Sequence, residues 1–213
     1  MESVQMDPYA EQKSLLPKAI RIQNLFLRNV RRSVVDMLQR YGATDVLDAC
    51  SGGGALAHMI GTRGMKVQAV DRSPTMADYS RSHYGILTKV ALIESLKFRE
   101  RFDAAVIGMT LHELSEGQRE EVWQGLEQAV KNTGVIIAVD YTTPPAGLLN
   151  EMFGKLLRLD EATFETVNPG HYEDYVRFMQ QGGLLGWLEQ RGEYIHSLST
   201  HLMGNIAVAV VMK

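Results

Sequence analysis

Two carboxylates and a run of glycines hold the residues best suited to chemistry in this chain. In VLDACSGGGALA, residues 46–57, Asp48 closes a short apolar stretch, and Gly52, Gly53 and Gly54 open the way to a helix. Small residues let a ligand approach the backbone, and the free N–H groups at a helix start favour an anion. A carboxylate at the strand end can face a cation. A ligand carrying both an ammonium and a carboxylate matches that pair of charges. Seventeen residues beyond Gly54, Asp71 ends the next apolar stretch. There it can accept hydrogen bonds from both hydroxyls of a ribose. In this order on consecutive strands, the two signals point to a nucleoside.

The spacing alone leaves the kind of nucleoside open. Gly52-x-Gly54-x-x-Ala57 satisfies the dinucleotide pattern GxGxxG/A, with an acid near the required distance, so a nicotinamide-dependent oxidoreductase is one reading. Against it, Asp48 would set a negative charge close to a pyrophosphate.

These motifs need elements to position them. Residues 45–50 and 66–71 read as strands, separated by a helix over 55–63 that Gly64 stops. Ser73-Pro74 opens another helix, with serine as N-cap and proline at its first position. Residues 89–93 are a candidate third strand, 102–108 a buried fourth and 135–140 a fifth, preceded by a helix over 116–131 and by Gly134. Strands alternating with helices imply a parallel sheet covered on both faces, a doubly wound α/β architecture. Residues 194–202 and 206–212, around Gly204-Asn205, read as two strands joined by a tight turn.

Upstream, Leu27, Val30, Val34 and Leu38 form one apolar stripe on a helix from Pro17 to Arg40. Its other faces carry Arg21, Arg28, Arg31, Arg32 and Arg40, a pattern open to a solvated outer face or to contact with a membrane surface. Residues 1–40 then form an N-terminal helical lid. Between the fifth and sixth strands, Leu149, Met152, Phe153 and Leu156 give one amphipathic helix and residues 171–190 a second helical stretch. Residues 146–190 are therefore expected to insert a small helical cap near the carboxyl edge of the sheet, where open α/β sheets bind ligands. The whole, residues 1–213, reads as a single domain.

Composition narrows the partners. The chain has 213 residues, 45% hydrophobic and 22% charged, with net charge −3, so nothing global points to nucleic acid. The single cysteine, Cys50, fits a reducing compartment. With no basic leader followed by an apolar stretch and no apolar run near ~20 residues, the expectation is a cytoplasmic chain without a transmembrane segment.

The motifs together resemble the class I S-adenosylmethionine (SAM)-dependent methyltransferases. VLDACSGGG is similar to their first motif, DxGxGxG, and VDRSPTMADYS to their second. FDAAVIGMTLHEL and GVIIAVDYTTPP are similar to their fourth and fifth strands. The closest group is the methyltransferases of ubiquinone and menaquinone biosynthesis, which HYEDYVRFMQQGGLLGWLEQRG and the hairpin after it also resemble. The resemblance implies a Rossmann-like, mostly parallel seven-stranded sheet with an antiparallel C-terminal hairpin. It further implies SAM as cofactor and a small methyl acceptor. Asp48 and the backbone of Cys50, Ser51, Gly52, Gly53 and Gly54 would hold the methionine part. Asp71 would bind the ribose, Arg72 and Met76 would flank the adenine, and Met109 and Thr110 would lie by the sulfonium.

Two positions depart from the family. Cys50 stands where the first motif glycine is usual, and left-handed dihedrals there would cost energy. Leu92 stands where an acid often meets the adenine amino group, which shifts that role to the backbone near Ile93 or to Glu94. A SAM-binding subunit without catalysis is therefore a further alternative.

Methyl transfer from a sulfonium is an in-line displacement, and a base is needed only if the acceptor must lose a proton. His112 and Glu113, Asp140 and Tyr141, and His171 are the candidate bases, with His112 foremost and Tyr141 second. Asp140 is also suited to cap the turn after its strand. His171, Tyr172 and Tyr175 are candidate acceptor contacts on the cap. His58, His83, His196 and His201 have no metal-ligand spacing.

Overall fold

Apolar runs become strands wherever both sheet faces are covered. Along the fourth strand, Ala105 and Ile107 join the core on one face, and Ala104 and Val106 the core on the other. The computed structural model describes residues 7, 9–10, 16–147, 150, 154 and 171–213. In chain order these form α1 (Leu16–Phe26), α2 (Arg28–Arg40), β1 (Asp45–Ala49), α3 (Ala55–Thr62), β2 (Lys66–Asp71), α4 (Pro74–Tyr84) and β3 (Lys89–Val90). Then come β4 (Phe102–Gly108), α5 (Glu116–Ala129), β5 (Val130–Tyr141), α6 (His171–Gln180), α7 (Gly183–Gln190), β6 (Ile195–His201) and β7 (Ile206–Met212).

The sheet order is β3-β2-β1-β4-β5-β7-β6. β1 to β5 pair in parallel, and β7 runs antiparallel between β5 and β6. This is the expected doubly wound seven-stranded sheet with an antiparallel C-terminal hairpin. It differs from the order 3-2-1-4-5-6 of a dinucleotide-binding Rossmann sheet by the inserted antiparallel strand. The order reverses at β1, so a crevice opens between the carboxyl ends of β1 and β4.

The N-terminal stripe packs as its spacing requires: Leu27, Val30, Val34 and Leu38 are buried in one core cluster with Val46, Val106 and Val208. The single helix read over 17–40 divides at Leu27. Hydrogen bonds from Leu27 N–H to Gln23 and from Arg31 N–H to Leu27 carry the chain through that bend. On the opposite sheet face, Trp123 and Leu126 of α5 pack with Leu184, Trp187 and Leu188 of α7.

Several boundaries differ from the sequence reading, each for a local reason. β3 stops at Val90 because the Ser95 hydroxyl and N–H both turn back onto the Leu92 carbonyl, closing a turn. β5 begins at Val130, directly after α5, with a bulge opposite Phe102. Gly134 therefore lies inside that strand. A Cβ there would overlap Val130 and the Asp103 carbonyl, so the close approach needs glycine. The stretch 171–190 is two helices because Gly182 and Gly183 adopt positive φ, 95° and 64°. Of these, α7 packs onto β5 and β7, while α6 covers a 3-10 turn at Leu111–Glu113. The cap helix read around Leu149, Met152, Phe153 and Leu156 lies outside the described residues, as do residues 1–6, 8 and 11–15 of the lid.

Candidate functional site

The turn after β1 is built from left-handed residues. Cys50, Gly52 and Gly54 have φ of 54°, 53° and 79°. Two are glycines, for which this region carries no steric cost, whereas Cys50 bears a strain of about 1–2 kcal/mol. The strain anticipated from the sequence is therefore present, and the turn still closes. Ser51 N–H donates to the Val70 carbonyl at 2.9 Å, tying the turn to β2. A Cβ on Gly54 would overlap the Ser80 side chain, so the glycine also lets α3 and α4 approach.

Asp71 holds this turn from the neighbouring strand. Its Oδ2 accepts from Gly52 N–H at 2.7 Å, and its Oδ1 accepts from Ser73 N–H at 2.8 Å. Each oxygen retains a second lone pair for a ligand hydroxyl. Burial raises its pKa, and the two N–H donors counter that rise. Ser73 in turn caps α4, its hydroxyl accepting from Met76 N–H at 3.1 Å. Asp7 extends this network. Its carboxylate accepts from the Ser73 hydroxyl at 2.7 Å and from Thr75 N–H at 3.0 Å, which anchors the chain before α1 onto α4.

Above the strand tips lies a cavity of about 290 Å³. Asp48, Cys50, Ser51, Gly52, Gly53, Asp71, Arg72, Met76, Ile93, Glu94, Met109 and Thr110 line it, so the sequence-derived cofactor residues share one space. Gly54 is not in the wall and acts through the α3–α4 contact. Met109, at the tip of β4, also has positive φ, 53°, and its N–H donates to Val139. This backbone conformation, uncommon for a residue with a side chain, directs the chain past the cavity.

Among the described residues, three buried polar atoms in that wall find no hydrogen-bond partner: Asp48 Oδ2, Asn24 Oδ1 and Ser51 Oγ. Buried polar groups are otherwise almost always paired, so three such atoms around one space fit a polar ligand. Burial pushes the Asp48 carboxyl up to about 7, against the pull of Arg31 and with a further push from Asp71. Burial likewise lowers the pKa of Arg31, which Tyr84 and Asp48 oppose. A carboxylate, an amide carbonyl and a guanidinium in one wall suit an amino-acid head, ammonium and carboxylate together. Next to them, Ile93, Leu92 and Met76 line the side toward β3 with apolar surface fit for a base ring. The residues present thus fit the nucleoside with an amino-acid head that the motifs imply.

The sequence reading missed the contribution of the first helices. Asn24 and Arg31 enter the cavity wall from α1 and α2, and Tyr9 joins them from the anchored segment before α1. The Glu113 charge and then burial raise the Tyr9 phenol. The available signal was modest. Arg31 follows Val30 immediately, at the border of the apolar stripe rather than on the outer face.

The base candidates form a second group at the carboxyl ends of β4 and β5. His112 Nδ1 lies 2.6 Å from Asp140 Oδ1, and both residues are buried. The His112 ring meets Tyr141 edge-on at 4.8 Å and Tyr175 at 6.0 Å, while Tyr172 stacks near Tyr175 at 6.2 Å. His112, Tyr141, Tyr172 and Tyr175 are therefore neighbours, though none is in the cavity wall. Met109, Thr110 and Glu113 belong to that wall and flank His112 in the chain. Of His171 only the backbone is described, at the start of α6. Among the described residues no group of three His, Cys, Asp or Glu side chains could hold a metal ion. No described helix is long and apolar enough to cross a membrane.

With this geometry in view, residues 46–134 match the family model of the methyltransferase domain. The chain is 30% identical over 123 residues to an uncharacterized methyltransferase of Synechocystis sp., covering 57% of this chain and 56% of that protein. The chain thus aligns with about half the length of this curated relative. Among solved structures, the N-methyltransferase NodS of Bradyrhizobium japonicum shares the fold with TM-score 0.59 and 11% identity, over 88% of this chain and 96% of that one. The 1,6-didemethyltoxoflavin-N1-methyltransferase of Burkholderia thailandensis, with bound 1,6-didemethyltoxoflavin and S-adenosylhomocysteine, gives TM-score 0.54 and 16% identity, over 100% and 93% of the two chains. An O-methyltransferase family protein of the same organism gives TM-score 0.58 and 16% identity, over 96% and 62%.

Proposed function

We propose, from the premise that residues 46–134 form a class I SAM-dependent methyltransferase domain, that the protein methylates a small, aromatic or lipophilic acceptor. The observation that carries this reading is the buried, unpartnered Asp48 Oδ2 beside Asn24 Oδ1 and Arg31, in one wall with Asp71. SAM supplies an electrophilic methyl group on a sulfonium, which needs no metal and only an aligned nucleophile.

The chain's own residues do the holding. Asp48 and Asn24 accept from the ammonium of the amino-acid head, and Arg31 and Ser51 donate to its carboxylate. Asp71 accepts from the ribose hydroxyls, while Arg72, Met76, Ile93 and Glu94 surround the base. Met109 and Thr110 border the place where the acceptor meets the methyl group. A buried wall of fixed donors and acceptors orients the two reactants, and orientation is the main lever for such a displacement.

For an acceptor that must lose a proton, His112 is the base. Asp140 takes the Nδ1 side of its ring, and Nε2 lies 3.9 Å from Glu113 Oε1, whose residue lines the cavity and links the ring to it. Tyr141 and Tyr175 pack around the ring, and Tyr172 and Tyr175 are the acceptor contacts on α6, with the sequence candidate His171 at its first position. The antiparallel β7 and the buried carboxyl of Asp48 just before the glycine turn, where a pyrophosphate would have to lie, both favour this reading over a nicotinamide-dependent oxidoreductase.

Calorimetry with S-adenosylhomocysteine tests the proposal. Saturable 1:1 binding that is lost in Asp71→Ala is the expected result. Absence of binding to the wild-type protein, or an NADH fluorescence response in its place, overturns it.

A further inference from the structure

Helix α1 has two apolar faces, and only one of them is used by the fold. Leu16 and Ile20 are buried against Met76 and Tyr79, and Ile20, Gln23 and Asn24 reach the cavity. On the opposite face Ile22, Leu25 and Phe26 are 50%, 74% and 53% exposed. They stand at i, i+3 and i+4, so they form one contiguous strip. Isolated exposed apolar residues are ordinary, but three large ones on a single helical face mark a contact surface.

The charge around the strip identifies the partner. Lys18 and Arg21 on α1, and Arg28 and Arg32 in the first turns of α2, are all exposed close to it in the chain. From Leu16 through Val35 there is no acidic residue, although the whole chain has net charge −3. Among the described residues none of the four basic side chains forms an ion pair. A second copy of this acidic chain would have to bring an acidic patch to four unneutralised cations. A sheet of anionic lipid headgroups over hydrocarbon satisfies the cations and the apolar strip at once.

We infer that α1 docks the protein on an anionic lipid surface, with Ile22, Leu25 and Phe26 entering the headgroup boundary and Lys18, Arg21, Arg28 and Arg32 meeting lipid phosphates. The inference is independent of what the cavity transfers. Because Asn24 lies on the inner face of the same helix, docking would leave α1 as the element between the bilayer and the cavity.

Vesicle co-sedimentation tests this with phosphatidylcholine alone and with phosphatidylcholine mixed with phosphatidylglycerol. The wild-type protein partitions onto the mixed vesicles, far less onto the neutral ones, and is released by salt. Replacing both Leu25→Gln and Phe26→Gln lowers partitioning at least tenfold. Replacing both Arg21→Gln and Arg28→Gln lowers it by on the order of tenfold and erases the preference for phosphatidylglycerol. Unfolding temperature and S-adenosylhomocysteine affinity serve as fold controls, and both stay at wild-type values. Absent or lipid-independent sedimentation, or partitioning unchanged by the apolar pair, overturns the inference. So does a sedimentation-velocity dimer that the apolar pair dissociates, which would make the strip an interface between copies.

Discussion

The carboxylate of Asp140 collects four donors: the His112 ring at 2.6 Å and Tyr141 N–H at 2.7 Å on Oδ1, and Thr110 N–H at 3.2 Å and His112 N–H at 3.3 Å on Oδ2. Three of these are backbone N–H groups, so Asp140 binds together the loop after β4 as well as the histidine ring. The group acts purely as an acceptor, and the imidazole therefore presents its proton on Nδ1.

A spectroscopic prediction follows from this geometry. Ring ¹⁵N chemical shifts of His112 should report the Nδ1–H tautomer when the ring is neutral. Asp140→Asn replaces one accepting oxygen with a donor, and the tautomer should shift toward Nε2–H. A wild-type ring protonated on Nε2 would remove Asp140 from any role in orienting His112. Asp140→Ala should also destabilise the fold by about 3–5 kcal/mol, because buried N–H groups lose their acceptor together. Urea unfolding measures that loss.

Asp48 predicts a pH dependence of ligand binding. Its folded pKa, about 7, lies above the ordinary 3.8, so the folded chain retains a proton that the unfolded chain has released between those values. Its contribution to stability is thus complete below the ordinary value and lost as pH rises through about 7. A ligand ammonium favours the ionised carboxylate, so binding expels the proton. S-adenosylhomocysteine should therefore bind more weakly as pH falls below about 7, by up to tenfold per pH unit. Asp48→Asn should bind weakly at every pH and lose the slope. Calorimetry across pH decides it, and a wild-type affinity flat from pH 5 to 8 would refute the assignment.

Asp71 joins stability to binding. Asp71→Ala leaves the N–H groups of Gly52 and Ser73 without their acceptor, at about 1–3 kcal/mol each where they stay dry. Asp71→Asn keeps one oxygen and should lose about half as much. In both variants S-adenosylhomocysteine should no longer raise the unfolding temperature, which differential scanning calorimetry checks. A variant with wild-type ligand protection would place the ribose elsewhere.

What the sequence revealed and what it concealed divide along a physical line. Phe102–Gly108 was readable end to end because a strand buried on both faces is a continuous apolar run. Asp48 and Asp71 were readable because a strand tip is a local feature, fixed by the glycines or serine that follow. Asn24, Arg31 and Tyr9 were not, since they reach the cavity only through the way α1 and α2 cross the strand tips. That crossing is tertiary and leaves no period in the chain. Gly134 misled for a related reason: glycine marks a turn and a tight approach between backbones alike, and only the neighbouring Val130 and Asp103 show which. Asp140, suited by sequence to cap the turn after its own strand, instead accepts from Thr110 and His112 N–H in the loop after β4 and grips the His112 ring, a pairing across 28 residues that no spacing announces.

The last prediction concerns the glycine that lies behind the cavity wall. Gly54 combines φ of 79° with a direction in which any Cβ would overlap Ser80. Two separable costs follow for Gly54→Ala. The left-handed backbone costs about 1–2 kcal/mol whatever surrounds it. The overlap adds about 1–3 kcal/mol, since a packed core accommodates an extra methyl group only by strain. Ser80→Gly removes the overlapping atoms and leaves the backbone term untouched. It also removes the Ser80 hydroxyl that accepts from Thr88, and glycine within α4 carries its own helical cost of about 1 kcal/mol. The double variant should therefore be more stable than the sum of the single effects allows, with a coupling of about 1–3 kcal/mol in a denaturation cycle. The remaining loss should match the backbone term plus the cost of Ser80→Gly alone. Strict additivity would mean that α3 and α4 do not touch at Gly54, and that its role is backbone conformation alone.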